Sequence, residues 1–229
     1  MAQTTHPSSS KSIYVIGAGM VGTCTAIQLL NAGFNVILLE KDKPGSGASS
    51  GNAGSIGTAS IPPMGVPGLI RKIPKALFDP LYPLVLRREN IWNSLTWFRK
   101  LLSASELSRV NKIADARASI LAHAESAYVD LLNSLNLQHL IQKTGLIHTY
   151  QSQASFLNSE FAMSLRKDRG INLIALSGHD LRDIEPMISD KVDTGVYYPD
   201  IGTCINPGLL NTLLVESFVE RGGRFLKEE

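Results

Sequence analysis

Cysteine is scarce: only Cys24 and Cys204 occur in 229 residues, far apart and without neighbouring histidines. Two such residues make neither a disulfide framework nor a zinc site, so a reducing compartment and no metal centre are expected. Long apolar runs are also missing. The first, Ile13 to Ile16, stops at Gly17, and none reaches the roughly 20 residues of a spanning helix. The opening MAQTTHPSSSK is polar, lacks the apolar run of about 7–15 residues of a signal peptide, and reads as a loose tail. A soluble, cytoplasmic protein is the expectation. Charge of one sign is almost absent, +2 overall, which gives no ground for nucleic acid as a partner. With 19 glycines, 11 prolines, 44% hydrophobic and 18% charged residues, the chain is neither collagen-like nor generally disordered. At about 150 residues per domain, its length suits one large domain or one and a half.

What is present begins at residue 12, SIYVIGAGMVGTCTAIQLLNAGFNVILLE. A β-rich run, Ile13–Ile16, precedes a helix with Met20, Cys24, Ile27 and Leu30 on one stripe and Gly33 at its end. A second buried strand follows over Asn35–Leu39. The connecting loop Gly17-Ala18-Gly19-Met20-Val21-Gly22 is spaced G-x-G-x-x-G. Gly17 permits the tight turn, Gly19 the backbone's approach to a pyrophosphate, and Gly22 close packing of helix on sheet. The helix N-terminus then offers free N–H groups and partial positive charge to phosphates. Glu40, 18 residues beyond Gly22, can accept from both ribose hydroxyls and disfavours a 2′-phosphate. Glycines alone are weak evidence, but strand, helix, strand and terminal acid stand here in the required order.

A second small-residue segment follows, KDKPGSGASSGNAGSIGTAS. Its density of hydroxyls and glycines suits a loop laid against a ligand, with Ser49 and Ser50 as donors to phosphate oxygens. A flexible Gly/Ser linker is the plainer alternative. Together GAGMVG, LLEK and GASSGNAG resemble the start of the FAD-dependent oxidoreductases of the D-amino acid oxidase type, in particular bacterial D-amino acid dehydrogenase-like proteins. The resemblance implies FAD as cofactor, adenosine contacts from Glu40 and Lys41, and pyrophosphate and flavin contacts from Ser49, Ser50, Asn52, Ala53 and Gly54. Lys41 departs from the family's frequent arginine, keeping the charge but not the planar fork.

Residues 61–90 hold six prolines and a local charge of +3, so an irregular excursion is expected rather than a long helix. A solvated connection between domains is the simpler reading; a substrate-access loop or a peripheral contact with the inner membrane stays open. A single helix is predicted over about 104–136, opened by a capping box at Ser103 and Glu106. Its apolar stripe runs from Leu107 to Leu135 and is interrupted only by Arg117, read as snorkelling or salt-bridged. Mixed strands and helices then continue to Tyr198, where Tyr197 and Tyr198 are explained by β-propensity as readily as by a place near substrate. Asn206 and Pro207 open a further helix with Leu209, Leu210, Leu213, Leu214 and Phe218 buried, ended by Gly222-Gly223.

The fold class expected is α/β: an incomplete Rossmann-type domain over 12–60 and 201–229, with an inserted, incomplete α+β substrate or cap region over 61–200. The resemblance covers nearly the whole chain but only the first half of a typical family member. It implies the N-terminal part of an enzyme that oxidises a small amino acid or secondary amine by hydride transfer to flavin, with the electron acceptor unspecified. A cofactor-binding fragment without turnover and an NAD-dependent dehydrogenase are the alternatives. With a third sheet strand only begun at Arg224, the chain alone is expected to be poorly soluble or partly unfolded, with little or no bound FAD and no turnover. No catalytic residue can be nominated.

Overall fold

The computed structural model describes residues 11–69 and 91–227, without the side chains of residues 91–93. In chain order it begins with strand β1 (Ser12–Ile16), helix α1 (Met20–Asn31) and strand β2 (Asn35–Glu40). Helices α2 (Ile91–Ala104), α3 (Leu107–Leu121) and α4 (Ala124–Ser134) come next. A 3-10 turn at Gln138–Leu140 leads into β3 (Ile141–Gln142) and β4 (Leu146–Tyr150). Helices α5 (Gln153–Leu157) and α6 (Glu160–Lys167), strand β5 (Ile174–Ser177) and helix α7 (Gly178–Ile184) follow. Last come β6 (Thr194–Tyr198), β7 (Thr203–Cys204), α8 (Pro207–Glu220) and β8 (Arg224–Lys227). Of the proline-rich stretch, positions 70–90 lie outside the described residues, and with them all five basic residues that gave it charge.

The chain divides into two compact units. The first takes residues up to Ile56, Ser126–Thr144 and those from Ile201 onward; the second takes Gly57–Glu125 and Gly145–Asp200. In the first unit β2 is the middle strand of a parallel sheet ordered β1-β2-β8. Ser12 to Ile16 pair with Asn35 to Leu39, and Ile37 to Glu40 pair with Arg224 to Lys227. The central position explains the apolar run on β2: Val36, Ile37 and Leu38 are all buried, as a strand covered on both faces requires. Helices α1 and α8 pack on the sheet through Ala26, Ile27, Leu210, Leu214 and Phe218, against Val36 and Leu38. Asn206 caps α8, its side chain accepting from the Leu209 N–H at 3.0 Å, with Pro207 in the first turn. A short antiparallel pair, β3 with β7, completes this unit.

The second unit centres on an antiparallel sheet ordered β4-β6-β5. A small core of Ile61, Val110, Ala114 and Leu165 forms beside it.

Several expectations are corrected. The long helix predicted over 104–136 is two helices, broken at Ala122 and His123. Its apolar stripe serves two different cores: Val110 and Ala114 pack in the second unit, Tyr128, Leu131 and Leu132 in the first. Residues 126–144 therefore pack with the nucleotide unit, whereas the sequence reading assigned them to the cap region. The capping box at Ser103 and Glu106 does not form, because α2 runs on to Ala104 and Glu106 makes no side-chain cap bond. The Ser103 hydroxyl accepts from Arg109 instead. A capping box does form at α7, between Ser177 and Asp180. Arg117 is half-buried and forms no ion pair among the described residues; it donates to the Pro62 carbonyl at 2.8 Å. On α8 the buried face holds Leu210, Asn211, Leu214, Val215 and Phe218, and Leu209 is exposed. Strand β8 is formed and hydrogen-bonded, so the sheet has three strands. Strand β1, expected to be buried, is an edge strand, and on one of its faces Tyr14 and Ile16 are 61% and 85% exposed.

Candidate cofactor site

The site grows from the turn between β1 and α1. Gly17 carries φ +98°, a left-handed conformation that glycine adopts without penalty, and its N–H donates to the Leu39 carbonyl at 2.8 Å. The chain thus leaves β1 and turns at once into α1. At Gly22 the helix lies directly on that turn: a Cβ there would stand 1.9 Å from the Gly17 carbonyl oxygen. Gly19 caps α1 in an extended conformation and makes no side-chain cap bond. A Cβ on it would meet the Ser49 hydroxyl at 3.2 Å, so this cradle has room for an approaching group only while the residue is glycine.

Ala18, wholly buried, is the knot of the turn. Its N–H donates to Glu40 Oε2 at 2.8 Å, and its carbonyl accepts from the Gly45 N–H at 2.9 Å and from Asn211 Nδ2 at 2.7 Å. Glu40 Oε1 accepts from the N–H groups of Lys41 at 2.9 Å and Asp42 at 3.1 Å. These bonds, those of Asp42 and Ala18 foremost, hold the Glu40 carboxyl below the usual carboxylate range. A carboxylate offers about four acceptor positions, so capacity remains for a ligand hydroxyl. Lys41 is exposed and lies 3.9 Å from Asp42.

The depressed acid makes a pH prediction. In the unfolded chain a glutamate titrates near 4.3; in the fold it titrates lower. The stability that the three N–H bonds confer is therefore complete above about pH 4.3 and is lost as pH falls through the folded value. Urea midpoints measured from pH 7 to pH 3 are expected to fall more steeply for the native chain than for Glu40→Gln. Parallel curves would show that the bonds to Glu40 contribute nothing.

The glycine-serine segment is a built loop rather than a linker. Ser49 is drawn onto the start of α1, its Oγ accepting from the Met20 N–H at 3.0 Å. Val21 and Gly22, the next N–H donors, have no acceptor within the protein among the described residues, as the first turn of a helix requires. Ser50 donates within the loop to the Ser46 and Gly47 carbonyls. Asn52 does so to Ala48 and Ser49, while its Oδ1 accepts from the Gly54 N–H at 2.8 Å. The loop's far end, Ala53 and Gly54, is tied to β7 where the Cys204 N–H donates to the Gly54 carbonyl at 2.8 Å. Gly17–Gly22, Glu40 and Ser49 are therefore brought together around the start of α1. Ser50 and Asn52 shape the loop, and Lys41 stands at the surface.

Sequence reasoning missed Asn211. Its signal is present: Leu210, Leu214, Val215 and Phe218 define the apolar face of α8, and an asparagine within that face asks for a partner. Burial pushes the Cys24 thiol up to about 11, which disfavours the thiolate. In the second unit Tyr198 is 1% exposed, with the Arg166 guanidinium 5.7 Å from its ring centre and His148 at 5.0 Å. This is core packing within β6 and its neighbours. Burial and then Arg166 push His148 below its ordinary value. His179, Asp180 and Asp183 meet on the exposed surface of α7, where ordinary surface ion pairing accounts for them.

A parallel βαβ unit with a glycine turn, an open helix N-terminus and an acid at the end of β2 defines a dinucleotide-binding protein. The family model for the FAD dependent oxidoreductases matches residues 12–229, and the chain belongs to that family. A D-amino-acid oxidase of Bradyrhizobium diazoefficiens is 32% identical over 220 residues, covering 95% of this chain and 52% of that protein. Glycine oxidase of Bacillus cereus shares the fold with a TM-score of 0.58 at 19% identity, over 94% of this chain and 46% of its own. L-α-glycerophosphate oxidase of Mycoplasma pneumoniae, in a structure with FAD bound, gives 0.55 at 15% identity, over 94% and 44%. The chain spans about half the length of the relatives it matches. The resemblance to oxidoreductases of the D-amino acid oxidase type is thereby upheld, and FAD is the cofactor of the family. No helix among the described residues is long and apolar enough to cross a membrane.

Proposed function

We propose that this chain holds FAD by its ADP half and serves an oxidoreductase of amino acids or secondary amines. The observation that carries the reading is the shared anchoring of the site. One residue, Ala18, ties the glycine turn to the acid ending β2, so one hydrogen-bonded unit would set both diphosphate and ribose positions. The donor set suits the group: N–H groups at the start of α1, with the Ser49 hydroxyl beside them, would hold anionic oxygens, and Glu40 would accept from a ribose hydroxyl. Glu40 would also repel a 2′-phosphate. Contacts from Lys41 to the adenosine, and from Ser50, Asn52, Ala53 and Gly54 through the backbone of the 45–54 loop, belong to this proposal. FAD, when bound, supplies the chemistry by accepting a hydride from the carbon that bears the substrate nitrogen; water then hydrolyses the imine. Likeness to D-amino-acid oxidase favours a D-amino acid as substrate.

Titration distinguishes this from an NAD protein and from a turn without a ligand. Strand β8 pairs with β2 along four residues, so, against the expectation of little bound FAD, the cofactor is expected to bind saturably, with flavin fluorescence changing on binding, and ADP to compete while riboflavin does not. In a protein extended to the length of its relatives, addition of a D-amino acid or an N-methylated amino acid under anaerobic conditions should bleach the bound flavin. Preference for NAD over FAD, or competition by riboflavin and not ADP, would overturn the assignment.

A further inference from the structure

Asn211 is wholly buried on α8, in the company of Leu210, Leu214, Val215 and Phe218. A primary amide in such surroundings is unfavourable unless its donors and acceptor are used. Only half of this one is satisfied: Nδ2 donates to the Ala18 carbonyl at 2.7 Å, while Oδ1 has no partner among the described residues. A leucine would fill the space without an orphaned acceptor, so stability alone does not account for the residue. Its donor end must matter. The Gly45 backbone lies against it: a Cβ at Gly45 would come within 2.7 Å of Asn211 Nδ2, and Gly45 has φ +70°. Gly45 also donates its N–H to the same Ala18 oxygen. Two donors from distant parts of the chain thus converge on one carbonyl.

The consequence follows from peptide geometry. The Ala18 carbonyl and the Gly19 N–H belong to one planar, trans peptide, in which C=O and N–H point in opposite directions. Drawing the carbonyl inward onto Asn211 and Gly45 therefore turns the Gly19 N–H away from the core. Gly19 is the residue before α1, and its N–H has no acceptor in the protein among the described residues. We infer that Asn211 is a positioning residue that aims the Gly19 N–H at the diphosphate of the bound dinucleotide. The inference rests on the FAD reading above. It assigns the part of α8 that faces the turn to cofactor binding, although that face is buried and touches no ligand itself.

The test compares the native chain with Asn211→Leu by thermal melting, by FAD and ADP titration, and by amide NMR of protein labelled with 15N-glycine, Gly19→Ala identifying the resonance. The expected result is a melting temperature close to native with FAD and ADP bound at least tenfold more weakly. The Gly19 amide should shift on saturation of the native chain with ADP, and should already be displaced in ligand-free Asn211→Leu. Native affinity in a folded Asn211→Leu would overturn the positioning role. So would a Gly19 amide that stays in place while ADP saturates the native chain, a measurement that stands even if the variant fails to fold. Absence of ADP and FAD binding to the native chain would instead overturn the FAD reading itself.

Discussion

Gly22→Ala is expected to cost the first unit its fold. The added methyl group would lie 1.9 Å from the Gly17 carbonyl oxygen and 3.6 Å from a Val15 methyl. The near atom is backbone, fixed in a turn whose N–H is bonded to Leu39, so it cannot swing aside as a side chain would. Relief requires α1 to move off the sheet, and α1 carries Ala26 and Ile27 into the main core. The penalty should reach or exceed the roughly 1–3 kcal/mol of ordinary overpacking, a large share of the 5–15 kcal/mol that stabilises a typical domain. Circular dichroism and urea unfolding would register it as a lost or strongly shifted transition, with FAD affinity lost as a result. A native-like melting curve for Gly22→Ala would show that helix and turn are not in the close contact described.

Gly19→Val is expected to fail differently. The residue is extended, φ −79° and ψ 177°, a conformation open to valine, so the backbone tolerates the change. Its side chain, however, would grow toward the Ser49 hydroxyl, 3.2 Å from the position of Cβ, and toward the ligand-facing start of α1. The fold should survive while FAD affinity falls at least a hundredfold, about 2.8 kcal/mol by the tenfold rule of 1.4 kcal/mol. Gly19→Ala, with only the one tight contact, should fall between native and valine. Isothermal titration with FAD and ADP on folded protein checks both. Retained affinity in Gly19→Val would mean that the diphosphate does not approach this turn. These outcomes would separate two glycines three positions apart in one motif into a packing role and a binding role.

The local parts of the site were legible in the chain because their signals are short-range. Strand, glycine spacing, helix and acid lie within residues 12–40, where period and turn chemistry act over a few positions. The cap at Asn206 and the start of α8 were legible for the same reason. The Ser103–Glu106 spacing was equally clear and misleading, since α2 continues through Ser103 and only the neighbouring helix decides where α3 begins. The 104–136 stripe misled in a related way. Its apolar positions are real, but a stripe does not state which core it enters, and α3 and α4 enter different ones.

By itself, then, the sequence determined the dinucleotide turn, the acid that ends β2 and the family likeness, because each resides in contiguous residues with their own conformational preferences. Tertiary structure alone decided that residues 126–144 join the nucleotide unit, that β8 pairs with β2, and that Ser49 sits at the start of α1. It alone brought Asn211 to Ala18, a hydrogen bond spanning 193 positions. No local propensity encodes such a bond. It exists because α8 and α1 must bury their apolar faces on the same sheet, and that packing carries one amide to one carbonyl.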